Sequence, residues 1–348
     1  MLQLPGKHHS LHMGQRRCRV EGESRMNRRT AIGLGIAAAL AASGGIAAMR
    51  SYTGALAQAR ARVATGSKIV SGRFGPLEYA TAGSGRPVLM IHGTGGGFDQ
   101  GLSFGRRLID AGYQVIAPSR FGYLRSAFPA DTSAENQADA FIDLLDALGI
   151  ERVAAIGGSA GALSAMQFAI RHPERCSALL PIVPAAYAPQ RPPQSPLSPL
   201  AMAIMEYALQ SDFLFWTGLV TAEQSMIATL LATDPTLVEQ ASAEERTRAR
   251  AILWDILPVS ARANGLLSDA RQTLNPAPMA IETIRAPTLT ISLEDDHFGT
   301  FAAARHIAAS VPGARLLAYK TGGHVWVGHD REMMGEVDAF LKSLPEAL

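Results

Sequence analysis

The chain has 348 residues, of which 47% are hydrophobic and 18% charged, enough apolar material for a large core and unlike a disordered protein. Its net charge of +2 hides an asymmetry: residues 1–62 hold ten Lys and Arg against two acids, leaving 22 basic and 28 acidic residues, a balance of −6, for the remainder. A mildly acidic body excludes the basic footprint of nucleic-acid binding, and the two distant cysteines, Cys18 and Cys176, predict no disulfide and an inert buried thiol at Cys176.

In the basic leader, 1–64, Arg28-Arg29 precede an uncharged Ala/Gly-rich run from Thr30 to Met49, closed by Arg50. Paired arginines before a modestly apolar segment resemble a twin-arginine export signal, for which Ala55-Leu56-Ala57 offers a small-x-small cleavage site. A run of 20 residues also just spans a bilayer with the arginines on the cytoplasmic side, so a retained transmembrane anchor is the rival expectation. Both place the body of the chain outside the cytoplasm, the second by membrane attachment. Glycines 33, 35, 44, 45 and 54 argue against a plain soluble helix. Met26 is an alternative start to Met1, in which case His8, His9 and Cys18 mean nothing.

The body opens with two strands, Ile69 to Phe74 and Leu77 to Ala82, turned at Gly75-Pro76 as a hairpin. Pro87 to Ile91 is a continuous apolar run suited to a strand buried on both faces, and it leads into His92-Gly93-Thr94-Gly95-Gly96-Gly97. That loop lacks both the downstream acid of a dinucleotide site and the Gly-Lys-Ser/Thr ending of a phosphate loop. Gly112 to Pro118 is the next strand, with Ser119-Arg120-Phe121-Gly122-Tyr123-Leu124-Arg125-Ser126 as its exit. Ser133 to Leu148 shows helical spacing, starting at Ser133 or Asn136.

Arg152 to Ile156 then reads as a buried strand and Ala162 to Arg171 as a helix, which puts Gly157-Gly158-Ser159-Ala160-Gly161 on the turn between them. A serine held there on strained backbone needs neighbours without a Cβ, supplied by Gly157 and Gly161, and the N–H of Ala160 is left free at the helix start to meet a developing negative charge. Cys176 to Val183 is another strand, and the alternation of strands and helices implies a parallel sheet with right-handed crossovers. Prolines 184, 189, 192, 193, 196 and 199 form a stiff connector. Helical stretches dominate from Leu200 to Leu267, where Met202, Met205, Tyr207, Phe213, Phe215, Trp216, Met226 and Trp254 are available to line a pocket or to pack the segment itself. The sheet resumes at Pro287 to Leu293, ends at Glu294-Asp295-Asp296-His297, and closes with Ala314 to Tyr319 before Lys320-Thr321-Gly322-Gly323-His324; His329 follows five residues on.

Over residues 69–345 these pieces resemble the α/β-hydrolase superfamily, with serine, acid and histidine in the order Ser159, Asp296, His324. The resemblance implies a mostly parallel central sheet with helices on both faces, a core of 65–184 and 276–348, and an inserted helical cap at 185–275. It makes Ser159 the nucleophile and His324 the general base ahead of His329. Asp296 becomes the orienting acid, with Asp295 in reserve. The loop after Ile91 becomes the oxyanion loop, with Thr94 and then Gly95 as donor beside Ala160, and His92 as a structural hydrogen-bonding residue. The exit loop 119–126 departs from the superfamily pattern, with Ser119 in place of an acid and Leu124 in place of a glycine. A serine nucleophile implies an acyl or ketonic carbonyl substrate, without cofactor or metal. A small or medium carboxylic ester is the first expectation and hydrolysis of a carbon–carbon bond beside a ketone the second. A ligand-binding module of this fold without turnover is the alternative from another class.

Overall fold

The computed structural model describes residues 28–191 and 195–345, with side chains from residue 43 onward; the expectations for Met1, His8, His9, Cys18 and Met26 fall outside these residues. The chain divides between Ser51 and Tyr52 into two compact units. A helix, α1 (Arg28–Ala64), runs through the division. Among the described residues no helix is long and apolar enough to cross a membrane, so the expected transmembrane anchor is not supported. The run Thr30–Met49 is helical, but its side chains are described only from Ser43, and Arg50, Arg60 and Arg62 follow it.

The expected leader boundary at residue 64 is also corrected. Tyr52 packs its ring on Phe213 and Trp216 at centroid distances of 5.2 and 5.6 Å, Leu56 and Ala59 are buried, and Arg62 donates to the carbonyls of Asp255 and Leu257. Apolar and charged anchors of this kind make the second half of α1 part of the larger unit.

That unit is built on one eight-stranded sheet of β1 (Lys68–Gly72), β2 (Gly75–Ala82), β3 (Pro87–Ile91), β4 (Gln114–Pro118), β5 (Val153–Gly158), β6 (Cys176–Ile182), β7 (Leu289–Leu293) and β8 (Arg315–Tyr319), in the order 1-2-4-3-5-6-7-8. The first two strands run antiparallel to their neighbours and the other pairings are parallel. The hairpin turns two residues earlier than its Gly-Pro signal: Gly72 pairs with Gly75, which takes the left-handed φ of 102°, and Asp143 holds the backbone N–H and guanidinium of Arg73 in the turn.

Alternate residues of β3, β4 and β5 feed two cores, as a sheet covered on both faces requires. Leu89, Ile91, Ile116 and Ala155 pack with Phe141 and Leu145, whereas Met90, Val115 and Ile156 lie in the layer that includes Met333, Val337 and Leu341. Between β1 and β6 the connecting helices are α2 (Phe98–Phe104), α3 (Arg106–Asp110), α4 (Ala134–Ala147) and α5 (Gly161–Arg171). Ser133 caps α4 by accepting from the Asn136 N–H, which settles its start.

Between β6 and β7 the described residues form six α-helices, α6 (Pro199–Leu209), α7 (Asp212–Thr221), α8 (Glu223–Leu230), α9 (Pro235–Gln240), α10 (Ala243–Trp254) and α11 (Ala263–Leu274). The described parts of the proline connector, 184–191 and 195–198, are irregular, and Ser198 caps α6 ahead of Pro199. The sheet is completed by α12 (Thr300–Ser310) and α13 (Asp330–Ser343). Cys176 is buried and unpaired, its thiol pushed up to about 12 by burial, as an inert core residue should be.

Candidate active site

Ser159 sits where β5 gives way to α5, with φ 51°, a conformation a side chain adopts only under constraint. Its N–H donates to the Ile182 carbonyl at 2.9 Å, which ties the turn to the neighbouring strand. The flanking glycines are required by contact. A Cβ on Gly157 would stand 2.7 Å from the Gly161 carbonyl oxygen and 2.8 Å from Ala162 Cα, and one on Gly161 would meet the Ile91 carbonyl oxygen at 2.7 Å and that of His92 closer still.

Two loops at the same end of the sheet complete the group. His324, on the loop after β8, brings Nε2 to 2.9 Å from Ser159 Oγ and Nδ1 to 2.8 Å from Asp296 Oδ2. With the ring proton on Nδ1 donated to the carboxylate, Nε2 is left to accept from the serine hydroxyl. Asp296 also accepts from the Phe298 N–H at 2.8 Å and from the Thr300 hydroxyl. Burial pushes this carboxyl up, but the His324 ring, the Thr300 hydroxyl and the Phe298 N–H outweigh it and hold Asp296 below the usual carboxylate range. It is therefore charged where the imidazole needs a counter-ion.

The acid in reserve has a different place. Asp295 accepts from the N–H groups of Gly322 and Gly323, both at 2.9 Å, and so pins the loop that carries His324. His329 is aside from the group: its ring stacks at 4.3 Å on Tyr319, and its nearest acid is Glu332 at 3.7 Å.

The glycine-rich loop after β3 folds against the serine, where a Cβ on Gly93 would come 3.2 Å from Ser159 Cβ. His92 is wholly buried, donates from Nδ1 to the Gly93 carbonyl at 2.7 Å and accepts from the Arg120 N–H on Nε2 at 2.9 Å. Burial, with Arg120 nearby, holds it well below the usual imidazole range, so it is a neutral strut. Of the two loop donors expected, Gly95 is corrected: its N–H is taken by the Tyr123 hydroxyl at 3.2 Å. Thr94 faces the cavity over Ser159, and among the described residues neither Thr94 nor Ala160 gives its N–H to an acceptor.

Sequence reasoning missed what holds this loop. Arg120 pairs both terminal nitrogens with Asp269 of α11 at 2.7 and 2.6 Å and donates from Nε to the His92 carbonyl at 2.9 Å. Tyr123 donates to the same aspartate at 2.6 Å while accepting from Gly95. On the other side Arg262, fully buried, donates to the Gly96 carbonyl and pairs with Asp99 at 2.7 Å, and Arg62 of α1 reaches the same carboxylate at 3.1 Å. In the exit loop that carries Arg120 and Tyr123, Leu124 stands where the superfamily pattern has a glycine and takes φ 51°, in the left-handed region that favours glycine.

Above Ser159 and His324 lies a cavity of about 320 Å³. The inserted helices contribute Thr229, Leu230, Leu231, Ile252, Thr273 and Leu274 to its wall. None of the eight large residues singled out in the sequence lines it. Phe215 and Trp216 are instead buried in the insertion's own core, and Tyr207 and Phe213 are exposed. Among the described residues no cluster of three or more His, Cys, Asp or Glu is placed to hold a metal ion.

The family model described as "alpha/beta hydrolase fold" matches residues 86–327. An uncharacterised hydrolase of Bacillus subtilis is 27% identical over 277 residues, covering 76% of this chain and 93% of that one. A 2-hydroxy-6-oxononadienedioate/2-hydroxy-6-oxononatrienedioate hydrolase of Paraburkholderia xenovorans is 41% identical, but over 110 residues, 30% of this chain and 38% of that protein. Among solved structures, an alpha/beta hydrolase fold protein from Nakamurella multipartita superposes with a TM-score of 0.62 at 24% identity, covering 80% of this chain and 99% of its own. The sheet, the strand-to-helix turn that holds Ser159 and a family match over most of the chain lead to one statement: this protein belongs to the α/β-hydrolase family and is a hydrolase.

Proposed function

We propose that the protein hydrolyses small or medium carboxylic esters through an acyl-enzyme. The observation that carries this reading is the unbroken chain Asp296 Oδ2, His324, Ser159 Oγ, with hydrogen-bond distances of 2.8 and 2.9 Å. A serine hydroxyl is a weak nucleophile at neutral pH. Attack on the ester carbonyl therefore needs His324 Nε2 to take its proton, while Asp296 fixes the ring and stabilises the imidazolium. The tetrahedral oxyanion falls to the N–H groups of Ala160 and Thr94; loss of one comparable donor raises the barrier by about 3 kcal/mol. His324 then returns the proton to the departing alcohol, and water, deprotonated by the same ring, releases the acid.

p-Nitrophenyl esters should give a burst of nitrophenolate equal to the enzyme present, absent in Ser159→Ala, and a fluorophosphonate probe should label the wild type and not that variant. A folded wild type that takes up no probe would point instead to a module that binds without turnover.

A second reading, hydrolysis of a carbon–carbon bond beside a ketone, is supported by the Paraburkholderia relative, whose name makes its substrate a 6-oxo dienedioate or trienedioate. It would be preferred if activated esters gave neither burst nor turnover and vinylogous diketones were cleaved. The location outside the cytoplasm remains a proposal supported by Arg28-Arg29 and the uncharged run behind them, to be tested by fractionating cells that make the full chain.

A further inference from the structure

Arg191 stands on the connector between β6 and α6 and forms part of the wall of the cavity that holds Ser159 and His324. The structure gives it little else to do. Nη2 donates to the Thr273 carbonyl at 3.1 Å and Nη1 reaches the Ala186 carbonyl only at 3.5 Å, while Nε is buried without a partner. A guanidinium has five N–H donors, so most of this one is unused. Among the described residues no carboxylate lies within ion-pair distance of it.

Arg191 is half-buried, and the two fully buried arginines among the described residues are treated differently. Arg120 has Asp269 at 2.6 Å and Arg262 has Asp99 at 2.7 Å, which is how a protein offsets the cost of removing a fixed charge from water. Burial disfavours the charged form of Arg191, and the opposing pull comes from Asp296, a carboxylate already committed to His324. A cation left without a counter-ion in a largely apolar cavity is completed when the occupant brings the negative charge, and a planar fork of N–H donors suits a carboxylate.

We infer that Arg191 forms a subsite for a carboxylate carried by the substrate, so that the preferred esters are anionic ones with a carboxylate a few bonds from the reacting carbonyl. The inference rests on the hydrolytic reading of Ser159 and narrows its substrate class.

The test uses two esters that differ only at the end of the acyl chain, p-nitrophenyl valerate and mono-p-nitrophenyl glutarate. Arg191→Gln should lower the ratio of kcat/KM for the glutarate ester to that for the valerate ester by roughly 10- to 100-fold, the worth of a charge-assisted hydrogen bond. Arg191→Lys should keep part of the preference. A ratio unmoved by Arg191→Gln, or equal losses on both esters, would overturn the inference. If the wild type cleaves neither ester, the ester reading fails, and binding of glutarate to Ser159→Ala by calorimetry decides the subsite alone. Binding that disappears when Arg191→Gln is added supports it, and binding that is absent or indifferent to Arg191 overturns it.

Discussion

Ser159 carries a backbone φ of 51°, and its surroundings leave it no relaxed alternative: Gly157 and Gly161 are packed against main chain, and its own N–H is held by Ile182. This part of the site was legible because close packing in the turn dictates residue types at fixed spacing. The choice between Asp295 and Asp296 was legible only through the superfamily spacing, because two adjacent carboxylates look alike until their partners are seen. The structure gives them separate roles, one holding the His324 ring and the other two main-chain N–H groups of its loop. Asp296→Asn should therefore lower kcat by on the order of 10,000-fold with little change in KM, since the amide favours the wrong tautomer. Asp295→Asn should lower it far less and show its effect in thermal stability; stopped-flow burst kinetics and calorimetry separate the two. His92 supplies a pH signature. Its imidazole is held neutral below its ordinary value, so the unfolded chain binds a proton that the folded one refuses. Its contribution to stability is fully present above about pH 6.5 and is lost as the pH falls below that. The unfolding free energy from urea titrations should be lower at pH 5.5 than at pH 7.5 through this group, a difference that His92→Gln removes.

At the scale of elements, helix α11 braces the glycine-rich loop beside Ser159. Asp269 on that helix neutralises Arg120 and accepts from Tyr123, whose hydroxyl in turn accepts from Gly95. Replacing the aspartate by leucine strands a buried guanidinium and should cost about 3–5 kcal/mol in urea unfolding, whereas the paired change Arg120→Met with Asp269→Leu should cost much less than the sum of its parts. Tyr123→Phe removes one acceptor and should cost about 1–3 kcal/mol. It should also reduce kcat more than it raises KM, as follows from the proposed action of the Thr94 N–H on the transition state. The pairing of Arg120 with Asp269 links positions 149 residues apart, and nothing local in either segment announces it. The inserted helices were illegible for a related reason. Their aromatic and methionine residues satisfy a helical period whether they face a cavity, a neighbouring helix or solvent, and the inserted helices' share of the cavity wall is built from smaller threonines, leucines, an isoleucine and an alanine. The strands read well because runs buried on both faces leave little choice, and only the hairpin moved, where Gly75 supplies the left-handed residue and Asp143 fixes the turn.

For the whole molecule, the division at Ser51 means that the catalytic unit needs residues which composition assigns to a leader. A chain beginning at Tyr52 keeps the aromatic contacts of Tyr52, the buried Leu56 and Ala59, and the Arg62 hydrogen bonds; one beginning at Thr65 loses them all. The longer form should unfold at a higher temperature by several degrees, as differential scanning calorimetry would record. The acid limb of stability follows from carboxyls held below their ordinary values. Burial pushes Asp296 and Asp99 up, and their basic or hydrogen-bonding partners outweigh it. Their contributions are therefore present above about pH 4 and vanish as the pH falls through the lower folded values.

Asp99 answers to two masters from distant parts of the sequence, Arg62 near the start and Arg262 at the entry to α11, and Arg262 also grips Gly96 in the loop beside the nucleophile. The loop beside Ser159 is thus braced only when an early and a late portion of the polypeptide have both arrived. During renaturation, recovery of turnover should trail the recovery of tryptophan fluorescence, and Asp99→Asn should widen that delay.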